Sequence, residues 1–201
     1  DTTRVDRFGS YGGADVTPNF DRLAARGVRF KWLLTHIPAT LPAHSSMFTG
    51  LDPHAHQVPA NGYALAEELE TLAERLAGMG YDTIAVVGAS VLESAMGLDQ
   101  GFRIYDDELG DSKKRRFEDR ADVVNERVWA ALEERDSSRP LFLWVHYFDA
   151  HAPYEAPMEW HEQHVDTSYV PSWGAGPFAT GDTASFKDLT PEDLAFVRNS
   201  Y

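Results

Sequence analysis

Residues 37–50, IPATLPAHSSMFTG, are the stretch from which the fold of this chain is predicted outward. An apolar run over residues 28–34 precedes it and predicts a strand that delivers the chain to Thr40. Pro42 suits the first turn of a helix and Gly50 suits its end, so we expect a helix with Thr40 at its N-cap. A hydroxyl there lies beside unpaired backbone N–H groups and the positive end of the helix dipole, where an anion can be held.

The Thr40 hydroxyl has two interpretations at this stage. A threonine before x-Pro is an ordinary helix cap, and spacing alone favours that function. Beside a bound tetrahedral anion, the same hydroxyl could instead attack as a nucleophile. The other motifs of the chain decide between the two.

Composition indicates a globular core and excludes some classes of partner. The 201 residues are 43% hydrophobic and 12% aromatic, which suits one domain or a large piece of one. A net charge of -14 argues against nucleic acid, because phosphate backbones require clustered Lys and Arg. Without cysteine there are no disulfides or thiolate metal sites. No apolar run reaches membrane-spanning length, and the localisation is left open.

Helical and strand-like segments alternate through the chain. Apolar residues recur at helical spacing over residues 65–78 and 121–135, and a capped helix start stands at Thr190. Residues 81–88 and 140–148 are apolar runs of strand length. This alternation predicts an α/β fold with a mostly parallel central sheet flanked by helices.

Five motifs follow one another along the chain: DTTRVD (1–6), TPNFDRLAARGVRF (17–30), the stretch 37–50, GLDPHAH (50–56) and HYFDAHAPY (146–154). In this order they resemble the motifs of sulfatase-like enzymes of the alkaline phosphatase superfamily. The resemblance implies an alkaline-phosphatase-like sheet that is incomplete at both ends. Residues 1–201 are then the N-terminal part of a single catalytic domain. Residues 155–188, rich in Pro, Gly, Ser and Trp, are predicted to be a long surface excursion over the substrate side.

The resemblance also implies functions for particular residues. Asp1 matches the carboxylate that binds a metal at the end of the first strand, although by itself it reads as an exposed terminus. Thr40 is then both nucleophile and metal ligand. His151 matches the histidine that protonates the leaving oxygen, whereas without the other motifs it is a loop histidine bonded to a carbonyl.

His44 and Asn61 are the predicted substrate-binding residues. His44 orients the anion, and Asn61 lies near the rim of the site. His54 and His56 could converge on a metal if their segment were extended, because side chains at i and i+2 share a face. A structural or substrate-adjacent function is preferred for both histidines.

The chain departs from true sulfatases at positions that decide the chemistry. Those enzymes carry Cys/Ser-x-Pro-x-Arg, in which Cys or Ser is oxidised to formylglycine, whereas this chain has Thr40 and His44 at the matching positions. The β-methyl of threonine prevents oxidation to an aldehyde, so no formylglycine is expected. The Lys-x-His pair of many sulfatases is absent at residues 88–91.

The resulting prediction is a metal-dependent hydrolase of sulfate or phosphate esters that uses a Thr nucleophile. The metal is divalent (Ca, Mn, Zn or Mg), and the substrate is a small-molecule or glycan ester. One alternative is a phosphodiesterase or phosphoethanolamine-type transferase, and another is a degenerate member that binds anions or glycans without cleaving them. Further metal ligands are expected from a segment that residues 1–201 do not contain, so this fragment alone is expected to bind metal weakly and turn over little.

Overall fold

The computed structural model describes residues 2–13, 17–110, 118–151, 162–163, 166, 168–171 and 189–200. The chain divides into two compact units, Thr3–Phe148 and Asp149–Tyr201, the second of which includes Thr2. Thr40, His44 and Asn61 lie in the first unit, and His151 lies in the second. Most of the predicted excursion 155–188 lies outside the described residues. The prediction of a single domain stays a prediction.

Helices surround a small sheet in the first unit. In the described ranges they are α1 (Pro18–Ala24), α2 (Thr40–Thr49), α3 (Pro53–His56), α4 (Leu72–Gly78) and α5 (Ala121–Glu133), and the second unit has α6 (Pro191–Ser200). Short 3-10 turns cover Val5–Arg7, Gly9–Tyr11, Ser90–Leu92 and Ser94–Met96. None of the helices in the described ranges is long and apolar enough to cross a bilayer.

The described strands form one parallel sheet in the order β2-β1-β3, with β1 at Asp82–Val87, β2 at Ile104–Asp106 and β3 at Leu141–His146. Ile84 in the central strand pairs with Ile104 on one side and Leu143 on the other. The predicted parallel α/β architecture is confirmed, and both long apolar runs are strands.

Successive side chains of a strand alternate between the two faces of the sheet. A helix packs against the side chains on each face. Ile84 and Val86 pack with α5 through Val124 and Val128. Val87 faces the opposite way, into a cluster with Leu41 and Phe48 of α2, and Phe142 and Trp144 of β3 pack against the same cluster. The sheet therefore has the two buried faces that its near-continuous apolar strands require.

The predicted strand at residues 28–34 is wrong. These residues have no regular secondary structure, and Val28, Trp32 and Leu34 are more than four-fifths exposed. A strand exists through its ladder of hydrogen bonds, and no described strand pairs with this segment. An apolar alternating pattern alone is not sufficient to form one.

The predicted helix at residues 65–78 is shorter than expected, because α4 begins only at Leu72. Thr71 and Glu74 form a capping box: the Thr71 hydroxyl accepts from the Glu74 amide at 3.1 Å, and the Glu74 carboxylate accepts from the Thr71 amide at 2.7 Å. Upstream, the Leu65 amide donates to the Met96 carbonyl instead. The cap fixes where the helix starts.

Candidate active site

Thr40 is the first residue of α2, and Ala39 is the N-cap. The prediction of Thr40 as the N-cap was therefore wrong by one position, since Ala39 is the extended residue before the helix and Thr40 already has helical geometry. Packing places the first turn of α2 beside the carboxyl end of β3, because His44 contacts His146, the last residue of that strand. Open α/β sheets bind ligands at this edge.

The backbone amides at the start of α2 largely donate hydrogen bonds already. The expectation that unpaired N–H groups surround Thr40 is therefore wrong. The Leu41 amide donates to Asn61 Oδ1 at 3.0 Å, and the Ala43 amide donates to the Ala39 carbonyl at 3.1 Å. Pro42 has no N–H to offer. Any anion held beside Thr40 must therefore be bound mainly by other groups.

Asn61 is an exposed residue that reaches back to the start of α2. Because a backbone amide can only donate, the atom facing Leu41 must be the Asn61 side-chain oxygen. The Nδ2 group of Asn61 is then the end of the side chain available as a donor. Asn61 thus combines an acceptor for an amide of the first turn of α2 with a side-chain donor.

The His44 imidazole bonds the main chain of Thr40. Its Nδ1 lies 2.7 Å from the Thr40 carbonyl oxygen. A carbonyl only accepts, so Nδ1 carries the proton and Nε2 keeps its lone pair in the neutral ring. His44 and Thr40 are thus in contact within α2, and their common function in a site stays a prediction.

The rings of two β3 residues, Trp144 and His146, flank His44. The His44 and Trp144 ring centroids are 5.5 Å apart, and the His44 and His146 centroids are 5.3 Å apart in a T-shaped arrangement. The sequence analysis did not identify His146. Its position as a histidine at the carboxyl end of a buried strand, on the same strand face as Trp144, is the signal that could have found it.

Burial keeps both imidazoles uncharged near neutral pH. Desolvation lowers the pKa of His44 to about 4, against an opposing effect of the hydrogen bond to the Thr40 carbonyl. Desolvation likewise lowers the pKa of His146 to about 4. The residue that replaces the arginine of true sulfatases therefore brings no positive charge to the site at pH 7.

His56 holds α3 against α2. Its Nδ1 accepts from the Val58 amide at 3.1 Å, so its Nε2–H faces the Ser46 hydroxyl at 3.0 Å. A histidine that donates to a serine cannot act as its general base. His54 and His56 lie in helix α3 and not in the extended segment that a shared metal would need, and the preferred structural function of His56 matches its contacts.

The functions of the other two predicted site residues stay predictions. His151 follows β3 along the chain and belongs to the second unit. Asp1, the predicted carboxylate ligand, lies outside the described residues. In the described part of the chain, no group of three His, Asp or Glu side chains is placed to hold a metal.

Two curated relatives are similar to parts of this chain. An uncharacterized sulfatase, YidJ, of Escherichia coli is 32% identical over 84 residues, which are 41% of this chain and 17% of the relative. An N-acetylglucosamine-6-O-sulfatase of Bacteroides thetaiotaomicron is 24% identical over 148 residues, 68% of this chain and 26% of the relative. The chain thus spans about a quarter or less of the length of these proteins.

Solved structures share the fold at about 20% identity. A phosphonate monoester hydrolase of Agrobacterium radiobacter aligns with a TM-score of 0.72 over 100% of this chain and 54% of its own. BT4656, solved with D-glucosamine-2-N,6-O-disulfate, aligns with a TM-score of 0.68 over 86% of this chain and 37% of its own. A protein in the alkaline phosphatase superfamily from Vibrio parahaemolyticus aligns at 0.52, over 98% and 45%.

The match to a family model covers most of the chain. The sulfatase model aligns with residues 1–174, a range that includes Thr40, Asn61 and His151. This match and the two curated relatives point to the same family as the sulfatase-like motifs of the sequence. The chain belongs to the sulfatase family.

Proposed function

We propose that this chain contributes the nucleophile half of a hydrolase site for sulfate or phosphate esters, with Thr40 as the nucleophile. The observation that carries the proposal is the position of Thr40 at the start of α2, next to the carboxyl end of β3. This edge of a parallel sheet is where ligands bind, and a hydroxyl there can attack a bound tetrahedral group. The sulfatase-family match supports ester hydrolysis as the class of reaction.

The proposed reaction has two steps. Thr40 Oγ1 loses its proton to solvent and forms a bond to sulfur or phosphorus, while the bond to the leaving-group oxygen breaks. His151 gives that oxygen a proton. Water then cleaves the covalent ester on Thr40 and releases sulfate, phosphate, a phosphate monoester or a phosphonate, according to the substrate. Thr40 regains its hydroxyl proton from that water, and His151 regains its proton from solvent.

A divalent metal ion, one of Ca²⁺, Mn²⁺, Zn²⁺ or Mg²⁺, is part of this proposal, with Asp1 and Thr40 among its oxygen ligands. Such an ion lowers the pKa of a bound hydroxyl and offsets charge on the transferred group. Two oxygen ligands are fewer than these ions take from proteins, so the proposal requires further ligands from outside the described residues.

Phosphorus esters are the substrates that the site chemistry favours. Threonine cannot form the aldehyde that true sulfatases use to cleave sulfate esters. The similar phosphonate monoester hydrolase acts on a phosphorus ester by its name, whereas the similar N-acetylglucosamine-6-O-sulfatase supports sulfated sugars as the second candidate. A phosphodiester or phosphonate ester is therefore the first substrate class to assay.

Thr40→Ala in the full natural polypeptide should reduce kcat/KM by about a thousandfold or more, the scale expected when a nucleophile is removed. The assay uses paired aryl phosphodiester, aryl phosphate and aryl sulfate substrates with each metal added in turn. Thr49→Ala is the matched control, because it removes the same hydroxyl at the other end of α2, where it bonds the Ser45 carbonyl.

Thr40-dependent cleavage of phosphorus esters would support the favoured substrate class, and Thr40-dependent preference for sulfate would support the second. A Thr40→Ala protein within tenfold of wild type would contradict the nucleophile. Absence of cleavage of all three substrates by the wild-type protein would point to the binding-only alternative.

A further inference from the structure

The His44 ring has three contacts, with the Thr40 carbonyl and with the rings of Trp144 and His146. Its Nδ1 is fixed to the Thr40 carbonyl at 2.7 Å, and the Trp144 and His146 rings lie 5.5 and 5.3 Å away. Trp144 continues into a larger aromatic group with Phe48 at 4.6 Å and Phe102 at 5.9 Å. His146 is the last of these rings, at the end of β3 nearest the start of α2.

His146 is buried, with only 5% of its surface exposed. Its backbone carbonyl accepts from the Gly88 amide at 3.0 Å, which anchors the residue to the end of β1. A Cβ at Gly88 would lie 3.0 Å from that same carbonyl oxygen and 2.9 Å from Val124, so the strands approach closely here. The backbone of His146 is therefore fixed where the ends of β1 and β3 pack closely together.

We propose that His146 is a positioning residue for Thr40, acting through His44. The T-shaped contact sets the plane of the His44 ring, and the His44 Nδ1–H bond then sets the Thr40 carbonyl and the first turn of α2. This inference rests on the proposed nucleophilic function of Thr40. It adds His146, which was not among the predicted site residues. His146 and His44 then position Thr40 together.

The first amides of a helix have no intrahelical partner, so contacts from outside the helix fix the first turn of α2. Pro42 supplies no amide, and the Leu41 amide is bonded to Asn61 on a neighbouring loop. A reacting hydroxyl must be held to within about 1 Å, since a misplacement of that size lowers rates by about a hundredfold. Without the His146 ring, His44 can rotate and exchange its bond to Thr40 for one to water.

The test compares His146→Ala, which removes the ring, with His146→Phe, which keeps an aromatic ring of similar size. His146→Ala should lower kcat about tenfold and also raise KM, because His44, the predicted contact to the anion, is no longer held in place. His146→Phe should stay within about threefold of wild-type kcat. Val128→Ala is the control for loss of packing alone, because it weakens the core on the opposite face of the sheet.

The tautomer of His44 provides a readout that does not depend on turnover. The ¹⁵N chemical shifts of the imidazole should show a protonated Nδ1 in wild type and in His146→Phe, and a mixture of tautomers in His146→Ala. If His146→Ala does not fold, His146→Val replaces it, because valine also presents no ring edge.

An unchanged His44 tautomer in the ring-less variant would overturn the proposal. Equal kcat values for the ring-less variant and either His146→Phe or Val128→Ala would overturn it as well. If Thr40→Ala proves active, the proposed nucleophile fails, whereas the ¹⁵N result still reports on the contact between the two histidines. The two failures are therefore distinguishable.

Discussion

Asn61 has two ends with separate functions in the candidate site. Its oxygen accepts from the Leu41 amide at 3.0 Å, and its Nδ2 group is the donor that the proposed contact with an anionic substrate would use. Aspartate has nearly the same shape but offers a second acceptor where asparagine offers a donor. The substitution therefore separates the helix cap from the proposed contact with an anionic substrate.

Asn61→Asp should raise KM at least tenfold with little change in stability. The carboxylate still accepts from the Leu41 amide and suits the positive end of the helix dipole, but it repels an anion. Asn61→Ala removes both functions and should also lower the free energy of unfolding by about 1 kcal/mol. Steady-state kinetics and urea unfolding measure the two effects. A wild-type KM for Asn61→Asp would mean that Asn61 acts only as a cap.

The start of β1 is fixed by one buried carboxylate. Asp82 has no exposed surface, and it accepts from Arg103 Nε at 2.5 Å, from Arg103 Nη2 at 2.8 Å and from the Asp136 amide at 2.8 Å. It thereby ties the central strand to the segment before β2 and to the loop between α5 and β3. The Arg103 hydrogen bonds lower the pKa of Asp82 to about 2.

This low pKa makes part of the folding stability dependent on acid pH. The pKa of an aspartate in the unfolded chain is about 3.9, so the ionised Asp82 stabilises the fold above that pH. The contribution, about 2 kcal/mol, should disappear as the pH falls from about 4 towards 2. Asp82→Asn should lower the free energy of unfolding by a similar amount at pH 7 and flatten its slope in this acid range.

Urea unfolding at a series of pH values, followed by tryptophan fluorescence, measures the effect of Asp82. Asp122→Asn is the control, because Asp122 forms an exposed pair with Arg120 at 3.3 Å and should change stability by less than about 0.5 kcal/mol. An Asp82→Asn protein whose acid unfolding curve follows that of wild type would show that this carboxylate does not control the start of β1.

At the scale of the whole molecule, residues 28–34 expose five large apolar side chains, those of Val28, Phe30, Trp32, Leu33 and Leu34. Trp32 is 86% exposed and Leu34 is 87% exposed. Exposed apolar patches of this kind promote association between proteins. The 201-residue chain should therefore self-associate as its concentration rises.

Trp32→Gln combined with Leu34→Lys should reduce light scattering and the binding of a fluorescent apolar dye by the 201-residue chain. Trp129→Gln is the matched control, because Trp129 is 68% exposed as a single aromatic residue on α5 and should have little effect. Unchanged scattering in the double variant would mean that another surface drives association.

Local sequence patterns were sufficient to predict the helices and strands whose apolar spacing or capping residues lie within the element itself. The apolar runs at 81–88 and 140–148 gave β1 and β3, the helical spacing at 121–135 gave α5, and Pro42 with Gly50 gave α2 to within one residue. The family motifs identified the Thr40 and His44 neighbourhood. The capping box that delays α4 to Leu72 was also present in the sequence, as Thr71 followed by Glu74.

Tertiary structure alone decided whatever depends on a distant partner. Residues 28–34 have a strand-like pattern but no described strand beside them, whereas the short β2 is a strand because β1 pairs with it. The sequence separates His44 from His146 and Leu41 from Asn61, and only packing of α2 on the sheet brings them together. Periodicity reports which face of an element is apolar, but the contacts across that face depend on how the elements pack.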